Sequence, residues 1–79
     1  MIDISRITDD EVEGAACVND LDAAIKPLMD KAGIETGDLA GIIFAAVEWD
    51  KLGFYGRLDA IGNWLAHEDA YAKYGIGGL

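Results

Sequence analysis

Cysteine, serine, histidine and proline each occur only once among the 79 residues. The single Cys17 excludes an internal disulfide and suits a reducing compartment. Ser5 has no base near it in the sequence, so a catalytic triad is not predicted. His67 precedes two acids that would point to different sides of a helix, which makes a poor metal site. We therefore expect no catalytic residues, no metal, no cofactor and no enzymatic activity.

Long apolar segments are also lacking. The longest uncharged run covers the nine residues 39–47, whereas a helix needs about 20 apolar residues to cross a bilayer. The opening MIDISRITDD has neither the basic region nor the apolar run of a signal peptide. We expect a soluble cytoplasmic protein that has no membrane contact.

Basic residues are scarce, with six against fifteen acids and a net charge of −9. Residues 1–38 carry ten of the acids and only three of the bases. Direct binding to nucleic acid is not expected, because phosphates require cationic partners. The complementary partner is a basic protein surface, and such surfaces often hold nucleic acid.

The first helix has clear start and stop signals. Thr8 and Glu11 form the pattern of a capping box, with Ile7 and Val12 placed as its hydrophobic staple. In DKAGI, Gly33 fits the left-handed position that follows a helix. These signals predict helical structure over residues 9–32.

The middle of this segment leaves two alternatives. An apolar stripe at helical spacing runs from Val18 to Ala32, but Val12 and Ala16 fall nearly opposite it. Pro27 removes a backbone donor. Residues 9–32 therefore form either one helix kinked between Asn19 and Pro27 or two helices broken near Asn19–Asp20.

The segment LAGIIFAAVEW, residues 39–49, is apolar all round, which is typical of a buried helix. Thr36 or Asp38 is its candidate N-cap. A buried strand is the competing interpretation, but the alanines and the length of the run favour a helix. The residues that we expect to be buried are Ile42, Ile43, Ala46 and Val47.

The remaining sequence predicts a connection and a last helix. KLGFYG joins two helices, with Leu52 and Phe54 closing the core beneath it. The last helix is predicted over 57–73, with Leu58, Ile61 and Leu65 facing inward and with Trp64 and Ala72 flanking them. The chain is thus predicted to be all-α, a single domain over 1–79 with three helices, or four if the first is broken. Residues 1–7 form an N-terminal extension and 75–79 a flexible tail.

Two sets of residues are candidates for partner binding. Asp9, Glu13 and Asp20 would lie within about 40° of one another on a continuous helix, in a row that resembles backbone phosphates. A solvated acidic face is the simpler alternative. The aromatic residues exceed what so small a core can hide, so we also predict an apolar interface and a homodimer. Its candidate residues are Phe54, Tyr55, Trp64 and Tyr71.

In size, charge and absence of catalytic motifs, the whole chain resembles the small acidic anti-CRISPR proteins of phages. The resemblance transfers no site residues. It implies a DNA mimic that acts as a stoichiometric inhibitor in the bacterial cytoplasm. Such a protein docks on a basic channel of a type I CRISPR surveillance complex and blocks target DNA. The alternative is a homo-oligomeric helical structural or assembly protein, for example one of viral origin.

Overall fold

The described part of the chain forms helices and no strands. The computed structural model describes residues 2–34, 38–45 and 47–74, without the side chains of 38–40 and 42. Its α-helices are α1 Asp9–Ala16, α2 Leu21–Ala32, α3 Asp38–Ala45 and α4 Phe54–Tyr74, and 3₁₀ turns lie at Ile4–Arg6 and Trp49–Lys51. Over these residues the all-α prediction is confirmed, in its four-helix form.

The capping box at the start of α1 is present as predicted. Glu11 Oε1 accepts a hydrogen bond from the Thr8 backbone N–H at 2.9 Å, and Thr8 Oγ1 accepts one from Glu11 N–H at 3.3 Å. Lys31 Nζ in α2 also lies 2.9 Å from Glu11 Oε1. These hydrogen bonds lower the pKa of Glu11 to about 2. The bond from the Thr8 backbone has the largest effect, and the bond from Lys31 has the next largest. Glu11 therefore links the start of α1 to the end of α2.

The predicted first helix is broken at residues 17–20. Cys17 ends α1, and the Asp20 side chain begins α2 by accepting a hydrogen bond from Ala23 N–H at 3.1 Å. The break explains why Val12 and Ala16 do not share one apolar stripe with α2, since each helix has its own face. Pro27 lies within α2 on an exposed side, where solvent can satisfy the carbonyl one turn earlier.

The end of α2 is the predicted glycine stop. Gly33 adopts φ 75° and ψ 25°, and its N–H donates to the Met29 carbonyl. Ile34 N–H donates to the same carbonyl at 2.9 Å, and the Ile34 side chain is buried. The Ile34 bond is the longer bond of a Schellman motif, and the Gly33 bond is that of the simpler left-handed cap.

The N-terminal segment lies against the rest of the fold. Asp3 N–H donates to the Ala32 carbonyl at 2.8 Å. Ile2, Ile4 and Ile7 are partly buried against the core. The residues before α1 therefore cover the end of α2.

The core lies where α4 packs against α1 and α3, and where α1 packs against α2. Trp64, Ile61 and Leu28 are its largest fully buried side chains. The other buried apolar residues are Ala15, Ala16, Ala24, Ile25, Ala32, Ile34, Phe44, Trp49, Ala60 and Leu65.

The predicted burial of residues in the third helix is confirmed only in part. Ile43 and Val47 are only partly buried, and among the described side chains of residues 39–49 the buried ones are Phe44 and Trp49. Ile42 and Ala46 lie outside the side chains described. So do the candidate cap Thr36 and the tail 75–79, while Asp38 is the first residue of α3.

The last helix begins earlier than predicted. α4 starts at Phe54 rather than residue 57, so Gly56 lies inside it. Ile61 and Leu65 are buried as expected, whereas Leu58 is only partly buried. Of the two residues predicted to flank them, Trp64 is buried and Ala72 is exposed.

A carboxyl group is buried in the second half of α4. Glu68 is 2 % exposed, and its Oε1 accepts a hydrogen bond from Trp64 Nε1 at 3.2 Å. Burial raises the pKa of Glu68 above its ordinary value of 4.5, and the Trp64 hydrogen bond offsets part of that rise. Because the folded pKa lies above the unfolded one, any stabilisation from protonating Glu68 is lost as the pH rises through the folded pKa.

Replacing Gly33 with alanine should lower the free energy of unfolding by about 1–2 kcal/mol, because a side chain is strained in the left-handed region. Gly62→Ala is the control, since Gly62 is exposed within α4 and nothing lies within 4 Å of an added Cβ. That variant should gain roughly 0.5–1 kcal/mol. Urea denaturation measures both, and a Gly33→Ala protein as stable as the wild type would contradict the assigned stop.

Replacing Glu68 with glutamine should raise the melting temperature at pH 7, because the amide keeps an acceptor for Trp64 and removes a buried charge. The gain should shrink as the pH falls towards 4.5, because the raised pKa lets the folded wild-type carboxyl take up its proton before that pH is reached. Glu13→Gln, at an exposed position, is the control and should change little. A gain from Glu68→Gln that is the same at pH 4.5 and pH 7 would refute the role of the charge.

Candidate partner-binding surface

Arg57 is a buried cation at the centre of the fold. It is 7 % exposed, and its Nε donates to the Trp49 carbonyl at 3.2 Å. Its Nη1 lies 3.3 Å from three acceptors, the carbonyl oxygens of Ala16 and Val18 and the side-chain oxygen of Asn19. One guanidinium therefore joins α4 to the end of α1, the 17–20 connection and the second 3₁₀ turn.

Trp49 completes this cluster. Its Nε1 donates to the Val18 carbonyl at 2.9 Å, so that oxygen is shared with Arg57. The guanidinium carbon of Arg57 lies 4.9 Å from the centre of the Trp49 ring, and Phe44 meets the ring edge-on with centroids 5.7 Å apart. We call Arg57, Trp49 and the groups that they bind the Arg57–Trp49 cluster. It fixes the second 3₁₀ turn beside the start of α2.

An acidic groove lies on the surface of this cluster. Its lining residues are Asp20, Leu21, Glu48, Trp49, Asp50 and Lys51. Three of them are exposed carboxylates from two separate segments, and the one cation, Lys51, forms an ion pair with Glu48 at 2.8 Å. Carboxylates in this arrangement can accept hydrogen bonds from arginine or lysine side chains of another protein.

The structure separates the three acids predicted to share one helix face. Asp9 and Glu13 are exposed on α1, one turn apart. Asp20 caps α2 instead, so its predicted alignment with them on a continuous helix is wrong. The cause is the break at 17–20, which reorients the chain. Asp20 is brought together with Glu48 and Asp50, two acids that the sequence did not indicate.

The predicted apolar interface is corrected at one residue. Phe54 is 38 % exposed, Tyr55 79 % and Tyr71 48 %. Trp64 is 0 % exposed and therefore belongs to the core. Its place on the buried side of α4 and its hydrogen bond to Glu68 account for the difference. Tyr74, which is 72 % exposed, is a further exposed aromatic on the same helix.

No pattern in the sequence indicates the Arg57–Trp49 cluster directly. Trp49 is the last residue of the apolar segment 39–49, and Arg57 is the first residue of the predicted last helix, so the KLGFYG connection separates them in the sequence. Arg57 is one of six bases and carries no local pattern, since its partners lie 8 to 41 residues away. The usable signal is that an arginine falls three residues before buried Ala60 and four before buried Ile61, on the inward side of α4.

Comparisons with known proteins found no relative of this chain. Scans against protein-family models, curated proteins and solved structures found no match. Among the described residues, no group of three histidine, cysteine or acidic side chains is placed to bind a metal ion. None of the helices described is both long enough and apolar enough to span a membrane.

Replacing Arg57 with lysine should lower the free energy of unfolding by about 1–3 kcal/mol, because buried acceptors lose their partner. Lysine keeps the charge but has no planar fork that reaches separate oxygens. The control is Arg6→Lys at an exposed position, where the change should stay within about 0.5 kcal/mol. Chemical denaturation that gives equal effects at both sites would contradict the role assigned to Arg57.

Proposed function

We propose that this protein binds a basic surface of a nucleic-acid-binding partner and thereby prevents that partner from binding nucleic acid. The observation that supports this most is the acidic groove, where Asp20 meets Glu48 and Asp50 from a distant segment. The Arg57–Trp49 cluster holds these segments together, so the partner meets carboxylates that are already positioned. Preorganisation of this kind reduces the entropy lost on binding.

The charge of the whole chain favours the same partner. A net charge of −9 repels nucleic acid and attracts basic proteins over a range set by ionic strength. Exposed acids also lie on α1, at Asp9, Asp10 and Glu13. They add to the long-range attraction, while the acidic groove supplies the local contacts. Association should therefore be fast at low salt and slower as salt rises.

The resemblance to anti-CRISPR proteins suggests which partner to test first. In that setting the protein acts in the bacterial cytoplasm as a stoichiometric inhibitor and not as an enzyme. The basic channel that a type I CRISPR surveillance complex uses for target DNA fits an acidic, preorganised surface. An electrophoretic mobility shift assay with the purified complex and labelled target DNA tests this directly. DNA binding should fall as the protein approaches a stoichiometric amount, and unchanged binding at large excess would contradict this target.

Neutralising the acidic groove should weaken inhibition more than neutralising α1. The groove variant is Asp20→Asn, Glu48→Gln and Asp50→Asn, in which asparagine at position 20 still caps α2. Its control is Asp9→Asn, Asp10→Asn and Glu13→Gln, which removes an equal number of negative charges from α1. Loss of two or more charge-assisted hydrogen bonds should raise the half-inhibitory concentration roughly tenfold or more.

The comparison between the two triple variants decides which acids bind. A larger effect of the α1 variant would place recognition on α1 and contradict the groove. Equal effects would mean that only the net charge matters. Circular dichroism on both variants checks that the helices remain.

A second candidate function is self-assembly of a helical structural protein. It is favoured by the exposed aromatics at the two ends of α4, above all Tyr55 and Tyr74. An assembly through apolar surface should tolerate high salt, in contrast to binding through charge. Light scattering across a range of salt concentrations distinguishes the two. A salt-tolerant dimer supports self-assembly, and a monomer at high micromolar concentration contradicts it.

A further inference from the structure

Two exposed aromatic rings stand at the start of α4. Phe54 and Tyr55 meet edge-to-face, with centroids 5.4 Å apart, and we call them the aromatic pair. Tyr55 is 79 % exposed and Phe54 38 %. Only Leu52 and Gly53 separate them in the sequence from residues 48–51 of the acidic groove.

The core does not need the aromatic pair for closure. Leu52 is partly buried and lies close beneath α4, since an added Cβ at Gly56 would come within 3.2 Å of Leu52 Cδ2. The sequence predicts that Leu52 and Phe54 close the core together beneath the connection. In the structure, Leu52 has this role. An aromatic side chain offers about 150–250 Å² of contact area, and most of that of Tyr55 is left unused.

The charges around the aromatic pair identify the kind of partner. Asp59 is exposed one helical turn after Tyr55, about 6 Å further along α4 on the same side. Asp50 is exposed four residues before Phe54. A second copy of the chain would bring the same acids against one another. A basic surface would meet them with opposite charge.

The other exposed end of α4 has a different environment. Tyr71 and Tyr74 flank Lys73, which forms an ion pair with Asp69 at 3.1 Å. Two cations, Arg6 and Lys73, and two acids, Asp3 and Asp69, line the surface groove at this end. Because these charges balance, this end lacks the excess of acids that surrounds the aromatic pair. Tyr74 therefore provides a control that matches Tyr55 in residue type and exposure.

We propose that the aromatic pair is the apolar anchor of the partner interface and receives an arginine side chain of the basic partner. The guanidinium lies against the Tyr55 ring while Asp59 accepts hydrogen bonds from its N–H groups. Arginine fits better than lysine, because its planar group both stacks on a ring and forms paired hydrogen bonds. This inference rests on the proposed function and extends its surface from the acidic groove to α4.

The test uses fluorescein-labelled octa-arginine and octa-lysine peptides as probes, with binding followed by fluorescence anisotropy. Tyr55→Ala should weaken octa-arginine binding roughly two- to fivefold, the range for an exposed cation–π contact. Tyr55→Phe keeps the ring and should bind like the wild type. Tyr74→Ala should leave binding unchanged, and octa-lysine should respond less than octa-arginine to Tyr55→Ala.

Any result other than these overturns the inference. Unchanged binding by Tyr55→Ala, or equal losses for Tyr55→Ala and Tyr74→Ala, removes the specific role of the pair. A dimer in light scattering that Tyr55→Ala abolishes assigns the pair to a second copy instead. If the groove variant loses binding and Tyr55→Ala does not, the proposed function stands and only this inference fails. Absence of wild-type binding to both peptides overturns both.

Discussion

A buried guanidinium with neutral partners is the constraint on which the middle of this fold depends. Removing a cation from water costs several kcal/mol unless its donors are satisfied. Arg57 meets that requirement with carbonyl oxygens, an amide oxygen and an aromatic ring. The carbonyl of Ala16 stands at the end of α1, where the helix dipole is negative. These partners come from three segments, and Arg57 itself belongs to α4. None of the three segments can therefore move without Arg57 losing an acceptor.

The same cluster explains how an acidic protein can hold carboxylates close together. Asp20, Glu48 and Asp50 repel one another, and that repulsion alone would separate the start of α2 from the second 3₁₀ turn. Beneath them the Val18 carbonyl accepts hydrogen bonds from both Trp49 and Arg57. Hydrogen bonds in the interior, one of them from the Arg57 cation, thus offset electrostatic repulsion at the surface. On the proposed function, binding of a basic partner relieves the repulsion that the fold maintains.

Local signals in the sequence are sufficient to predict where helices begin and end. They are insufficient to predict which residues lie on the surface. The capping box at Thr8 and the stop at Gly33 each depend on neighbours within five residues, so their patterns are readable from the chain. The choice between a kink and a break could not be made, because the break relies on Asp20 as a cap and on Arg57 from 37 residues further on. The prediction that Trp64 belongs to an apolar interface is wrong for a similar reason. Its burial depends on the packing of α4 against α1 and α3, which no local pattern specifies.

Hydrogen exchange of the two tryptophan indoles by ¹⁵N NMR tests the cluster most directly. Trp49 Nε1–H is bound to the Val18 carbonyl, and Trp64 Nε1–H to buried Glu68, so both should exchange far more slowly than a free indole. In the Arg57→Lys protein, protection should fall at Trp49 and persist at Trp64. Trp49 exchanging as fast as a free indole in the wild type would contradict the cluster. Equal loss at both tryptophans in the variant would show that Arg57 supports the whole fold without organising this site.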